Sequence, residues 1–204
     1  MMNNRVRQVT AILMMSFLVG LLLTAGCFDE RIRQTDTVVY KTDANGTTEW
    51  VTSLDTGMMD RGRTLIETAD GGYLVVGSIS DNPEGHFGYP EFPRLVRLDH
   101  AGTIEWDTVL NSTVGPVDYA EAGSAFAVVE TQDRHILATT YHGFIIGLNF
   151  TGNVEQVRVV NRSGRSFISE KDRSILFLGD EISKFDSSGS PVWENPTRGY
   201  QNAF

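Results

Sequence analysis

Few side chains in this sequence fall at spacings that could do chemistry. The four histidines, His86, His100, His135 and His142, are scattered along the chain. They make no His-Glu-x-x-His pair and no close set with a cysteine, so zinc has no obvious site. No Gly-x-Ser-x-Gly elbow, no glycine-rich phosphate loop with a lysine and no catalytic carboxylate pair can be picked out. Asp43-Ala44-Asn45-Gly46 and Asp186-Ser187-Ser188-Gly189 suggest calcium loops at first sight. They lack the further oxygen ligands at regular intervals that such loops need, and capping of their own turns explains the acids better. No metal and no cofactor is therefore expected. What is left is recognition: His86, Phe87, Tyr89 and Phe92 in the segment 81–93, together with Tyr119, are groups of the kind that anchor contacts from loops.

The sequence has 204 residues, 41% hydrophobic and 21% charged, the composition of an ordinary globular chain. Its formal charge of −9 argues against a generic nucleic-acid binder. Arg5 and Arg7 precede an uncharged stretch, residues 8–28, with an apolar centre, which is an export signal in outline. It ends in Leu23-Thr24-Ala25-Gly26-Cys27, which resembles the lipobox of prokaryotic lipoproteins, Thr24 standing where leucine is commonest. The resemblance implies cleavage before Cys27 and lipid attachment to its thiol. An uncleaved spanning helix or a buried free thiol is the alternative. The expected layout is a signal at 1–26, a linker at 27–36 and a domain at 37–204 that is membrane-tethered and faces the extracellular or periplasmic side.

Beyond the leader the sequence repeats. Residues 38–50 (VVYKTDANGTTEW), 95–106 (LVRLDHAGTIEW), 145–156 (IIGLNFTGNVEQ) and 182–193 (ISKFDSSGSPVW) align without a gap. Each runs from an apolar stretch to Asp or Asn, to glycine three residues on, and to Trp50, Trp106, Gln156 or Trp193. This is a hairpin written four times, the acid capping its turn and the glycine supplying a positive φ. A second hairpin alternates with it at 63–77, 126–140 and 165–179, around Asp70, Asp133 and Asp172. Two hairpins make a four-stranded antiparallel unit, and no stretch after residue 30 keeps a helical apolar period.

Repeated four-stranded units of this length build a β-propeller. The Asp-x-x-Gly-x-x-x-Trp hairpin resembles the repeat of quinoprotein-like (PQQ-like) propellers, and Asp70-Gly71-Gly72-Tyr73 with the following Leu-Val-Val-Gly resembles a repeat common in exported prokaryotic propellers. The resemblance implies that Trp50, Trp106 and Trp193 lie on outer strands and dock on the neighbouring blade, with a weaker dock at Gln156. The expected all-β array has a half blade at 37–54 and blades at about 63–110, 124–160 and 165–195. Only one opening strand, at Tyr200–Phe204, follows, so ring closure from this sequence is not expected.

The first blade has 29 residues between its turns, Asp70 to Asp99, against 16 and 14 in the next two. The excess is the segment 81–93, too rich in proline for a central strand. In a meander, alternate connections leave opposite faces. One face should hold only short turns, and the other the segment 81–93 and the connections 55–62 and 111–123. The expected function is a non-catalytic binding or scaffold propeller, lipid-anchored, with a protein or envelope-polymer partner. The alternatives are a quinone-dependent dehydrogenase and a cell-envelope assembly scaffold.

Overall fold

A computed structural model of the chain describes residues 13–15, 35–81, 90–110, 113–114, 117–118, 122–159, 164–170, 174–179, 181–186 and 190–196. All regular structure among them is β. The first sheet joins β1 (Leu13–Met15), β2 (Asp36–Thr42) and β3 (Thr48–Ser53) in that order. Three four-stranded meanders follow. The first contains β4 (Met59–Glu67), β5 (Tyr73–Ser80), β6 (Phe92–Leu98) and β7 (Ile104–Val109). A two-stranded hairpin, β8 (Thr113–Val114) and β9 (Val117–Asp118), lies in the connection onward. The second meander is β10 (Ala125–Glu130), β11 (Ile136–Thr140), β12 (Phe144–Leu148) and β13 (Val154–Val159). The third is β14 (Gly164–Ser169), β15 (Ile175–Gly179), β16 (Glu181–Phe185) and β17 (Pro191–Pro196).

The Asp-x-x-Gly hairpins owe their shape to local bonding. Asp43 Oδ1 accepts the amides of Asn45 and Thr47 at 2.8 Å each, and Asp99 Oδ1 those of Ala101 and Thr103 at the same distance. Asn149 caps Thr151 and Asn153 in the same way, at 3.1 and 3.0 Å. Gly46, Gly102 and Gly152 follow with φ of +85°, +83° and +82°, a conformation that L side chains resist. All four hairpins of this type slip register by one residue just before the turn. Backbone amides hold the Asp43 and Asp99 carboxyls below the ordinary range.

Successive sheets pack face to face, so a strand in mid-array is covered on both sides. Every residue of β5 is buried. Tyr73 and Val75 join Val39, Leu54 and Trp50 on one side, while Leu74 and Val76 join Val128, Ile136 and Ile146 on the other. Val129, Leu137 and Ile145 then meet Ile175, Phe177 and Phe185. The period-2 alternation of a strand thus supplies two cores rather than a core and a wet face.

Four segments depart from expectation. Phe92 and Pro93 belong to β6, an inner strand, with Pro93 opposite Ser78. The Pro93 carbonyl accepts the Leu110 amide at 2.9 Å just past the end of β7, so the missing N–H forgoes one bond at the end of a ladder. Met59–Gly62 is strand rather than connection, and Met59 is buried. The connection 111–123 contains the hairpin β8–β9. Leu13–Met15, in the segment expected to be a signal, is extended and pairs with Asp36–Val38, along what would otherwise be an open strand edge. Among the described residues no helix is long and apolar enough to cross a membrane.

Candidate binding face

The meander gives each blade two ends with different chemistry. At the short-turn end, side chains of one blade bond the turn backbone of the next. The Trp50 indole lies on Gly102 and donates Nε1–H to the His100 carbonyl at 3.3 Å, and Thr52 Oγ1 donates to the Gly102 carbonyl at 2.6 Å. One blade later the arrangement recurs: Trp106 lies on Gly152 and donates to the Phe150 carbonyl at 2.9 Å, with Thr108 on the Gly152 carbonyl at 2.9 Å. Gln156 packs on Gly147 of its own sheet instead. Trp193 stands on the outer strand β17 and is 43% exposed, and a blade for it to dock on lies outside the described residues.

The first and second blades are also joined by charge. Asp70 Oδ2 receives Arg97 at 2.5 Å and Arg134 at 2.7 Å, and both guanidiniums lie 3.9 Å from the centre of the Phe150 ring. Arg97 also pairs with Glu105, and Glu130 accepts the Ala69 amide at 2.7 Å. Burial works against ionising Asp70, but the Thr68 hydroxyl and the two arginines hold its carboxyl well below the usual range. Arg134 takes φ +62° where the first blade has Gly71, and its ion pair and ring contact offset that strain.

The opposite end carries the long connections. Of the sequence-selected residues, His86, Phe87, Tyr89, Tyr119 and Cys27 lie outside the described residues. Phe92 is described, half-buried at the start of β6 and opposite Ile79 rather than in a loop. The base of the segment 82–89 is held nearby: Ser80 Oγ donates to the Pro90 carbonyl at 3.0 Å, Ser78 Oγ to Glu91 Oε2 at 3.1 Å, and Arg61 pairs with Glu91. Deeper in, the buried Arg94 pairs with Asp60, bonds the Leu54 carbonyl at 2.7 Å and holds Asp107 through Nε at 2.9 Å and Nη2 at 2.6 Å. Burial pushes the Asp60 carboxyl up, opposed by the Thr56 amide and by Arg94. For Arg94, burial is outweighed by Asp107 and Asp60, and its pKa rises. Asp36 and Asp55 have carboxylate oxygens close to that of Asp60, but Arg94 and Thr56 already bond Asp60 and the Gly57 amide bonds Asp55.

The innermost strands add a feature the sequence reading missed. β4, β10 and β14 pack side by side, and each carries a bulge at the same register, between Gly62 and Thr64, Ala125 and Ala127, and Gly164 and Ser166. The extra residues are Arg63, Phe126 and Arg165. A bulge re-aims the side chain it inserts. The Arg63 guanidinium lies 5.2 Å from the Phe126 ring centre, Phe126 stacks on Tyr141 at 5.6 Å, and Tyr141 meets His142 edge-on at 4.9 Å. Tyr141 and His142 form the tip of the β11–β12 turn, tied by their amides to the carbonyls of Ser124 and Ala122 at 2.9 and 3.2 Å. Gly123, at φ +70°, lets His142 approach: a Cβ there would stand 2.8 Å from its ring. The pairs Gly62-Arg63, Ala125-Phe126 and Gly164-Arg165, each a small residue before a large one, are the signal that would have located the bulges.

No protein-family model matches the chain, and no curated protein matches it in sequence. Solved structures do resemble it in shape. Sqt1 of Saccharomyces cerevisiae superposes with a TM-score of 0.56 at 10% identity, over 79% of this chain and 42% of that one. BamB from Moraxella catarrhalis gives 0.53 at 18% identity, over 81% and 43%. A streptogramin B lyase gives 0.51 at 14%, over 80% and 51%. The fold is a β-propeller. This chain spans about half the length of each neighbour, and at these identities the likeness extends to the fold alone. A lyase among them means that the fold does not separate binding from catalysis.

Proposed function

We propose that the chain is a non-catalytic propeller module, lipid-anchored through Cys27 on the extracytoplasmic side of a membrane, that captures a protein or envelope-polymer partner on its long-connection face. The observation that carries this reading is the division of labour between the two ends. At the short-turn end, indoles, guanidiniums and turn carboxylates bond the neighbouring blade or their own turn. At the other end Tyr141 is 52% exposed in a row of ring and cation contacts fixed by two innermost strands and the β11–β12 turn. Exposed aromatics held rigidly are what a binding surface needs. The cell-envelope assembly scaffold is a more specific form of the same reading.

The test is partner capture from envelope extracts by the anchored protein, its Tyr141→Ala variant and a deletion of residues 83–89, which spares Pro90, Glu91 and Phe92. Loss of the captured species in both variants, with thermal transitions close to that of the parent, supports the reading. Undiminished capture by both refutes the choice of face. Oxidation of an alcohol or sugar after reconstitution with a quinone cofactor would replace it with the dehydrogenase alternative.

A further inference from the structure

We propose that Arg63 and the Phe126–Tyr141 stack beside it form a binding site for a carboxylate borne on a ring. The inference rests on the connection face being a binding surface, and it names the chemistry that surface takes. Among the arginines whose side chains are described, every other one meets a carboxylate: Arg61 with Glu91, Arg94 with Asp60 and Asp107, Arg97 with Asp70 and Glu105, Arg134 with Asp70, and Arg158 with Glu194. Arg63 meets none among the described residues.

Arg63 is nonetheless held in place. Its backbone is a bulge, its Nε donates to Ser124 Oγ at 3.3 Å, and its guanidinium rests over Phe126. The two terminal nitrogens keep their donors free among the described residues, in the planar fork that matches a carboxylate two-to-two. The segment 122–124 that supplies Ser124 also fixes the Tyr141–His142 turn, so cation and aromatic platform are positioned by one piece of backbone. A ring attached to the carboxylate would lie against the exposed face of Tyr141. The net charge of −9 repels densely anionic polymers far more than a ligand with a single negative charge at this point.

The probes are glucuronate and benzoate, each with a neutral counterpart, glucose and benzyl alcohol, titrated into the protein and followed by amide and arginine Nε–H NMR shifts. Saturable shifts confined to residues near 63, 124–126 and 141–142 are expected with at least one acid and weaken with added salt. Glucuronate alone would mark a sugar acid, and benzoate alone an aromatic acid. Arg63→Gln should weaken the interaction about tenfold or more. Arg63→Lys, which keeps the charge without the fork, should fall between, and both variants should melt with the parent. The proposal is overturned if neither acid saturates, if Arg63→Gln binds as tightly as the parent, or if the neutral counterparts bind equally well. Carboxylate binding together with undiminished partner capture by the Tyr141→Ala and 83–89 deletion variants would sink the partner surface and leave this site standing. Loss of partner capture without any carboxylate binding would remove this site alone.

Discussion

Blade-to-blade docking can be separated from backbone strain with two glycines. Gly46 and Gly152 occupy the same position of the same turn, at φ +85° and +82°. An alanine at either meets the left-handed penalty, roughly 1–2 kcal/mol. Around Gly46 an added Cβ finds nothing within 4 Å, whereas at Gly152 it would stand 2.7 Å from Trp106 Cδ2. The indole would have to lift off the turn, and its hydrogen bond to the Phe150 carbonyl would lengthen. Overpacking of that kind costs about 1–3 kcal/mol more. Gly46→Ala should therefore lower stability by about 1 kcal/mol and Gly152→Ala by about 3. Trp106→Ala should fall near the low end of the roughly 3–5 kcal/mol for a buried ring, since this one is half-buried. Trp193→Ala, at a ring 43% exposed, should cost under about 1 kcal/mol. In urea titrations a 2 kcal/mol difference separates midpoints by about 1 M. Equal midpoints for the two glycine variants, or for the two tryptophan variants, would refute the docking argument.

Asp70→Asn should flatten the acid limb of the stability curve: a carboxyl held below its unfolded value near 3.8 contributes stability that is present above that pH and is lost below it. Thermal midpoints of variant and parent measured between pH 2 and 6 check this, and parallel curves would count against it. Arg94→Leu should cost about 3–5 kcal/mol by leaving Asp60 buried without its cation, and the deficit should shrink in acid as Asp60 takes up a proton. Chemical denaturation of the variant at two pH values reads both effects. Cys27→Ser should give an uncleaved precursor or a protein without lipid. Intact mass and detergent partitioning identical to the parent would remove the anchor.

The hairpins and their pairing into four-stranded units were legible because the physics that makes them is local. Asp43, Asp99 and Asn149 cap amides two and four residues on, and the glycine after each takes its φ from the same few bonds, so the pattern survives in any surroundings. Strand alternation likewise announced sheets, though not that β5 would be covered on both faces, since that depends on what packs beside it. Composition alone misled at Phe92 and Pro93, because whether a proline is tolerated depends on which neighbour its missing N–H would face. The candidate site was less legible still. The aromatic residues picked from sequence stood out by type, all but Tyr119 within one proline-rich segment, whereas Arg63, Phe126 and Tyr141 come from three different strands and turns. Their meeting requires two bulges at one register and two innermost strands side by side. The same holds for Arg94, Asp60 and Asp107, whose charges are neighbours only after the sheet has formed. Sequence determined the turns, which are bonds among adjacent residues, and tertiary structure decided every contact that crosses from one blade to the next.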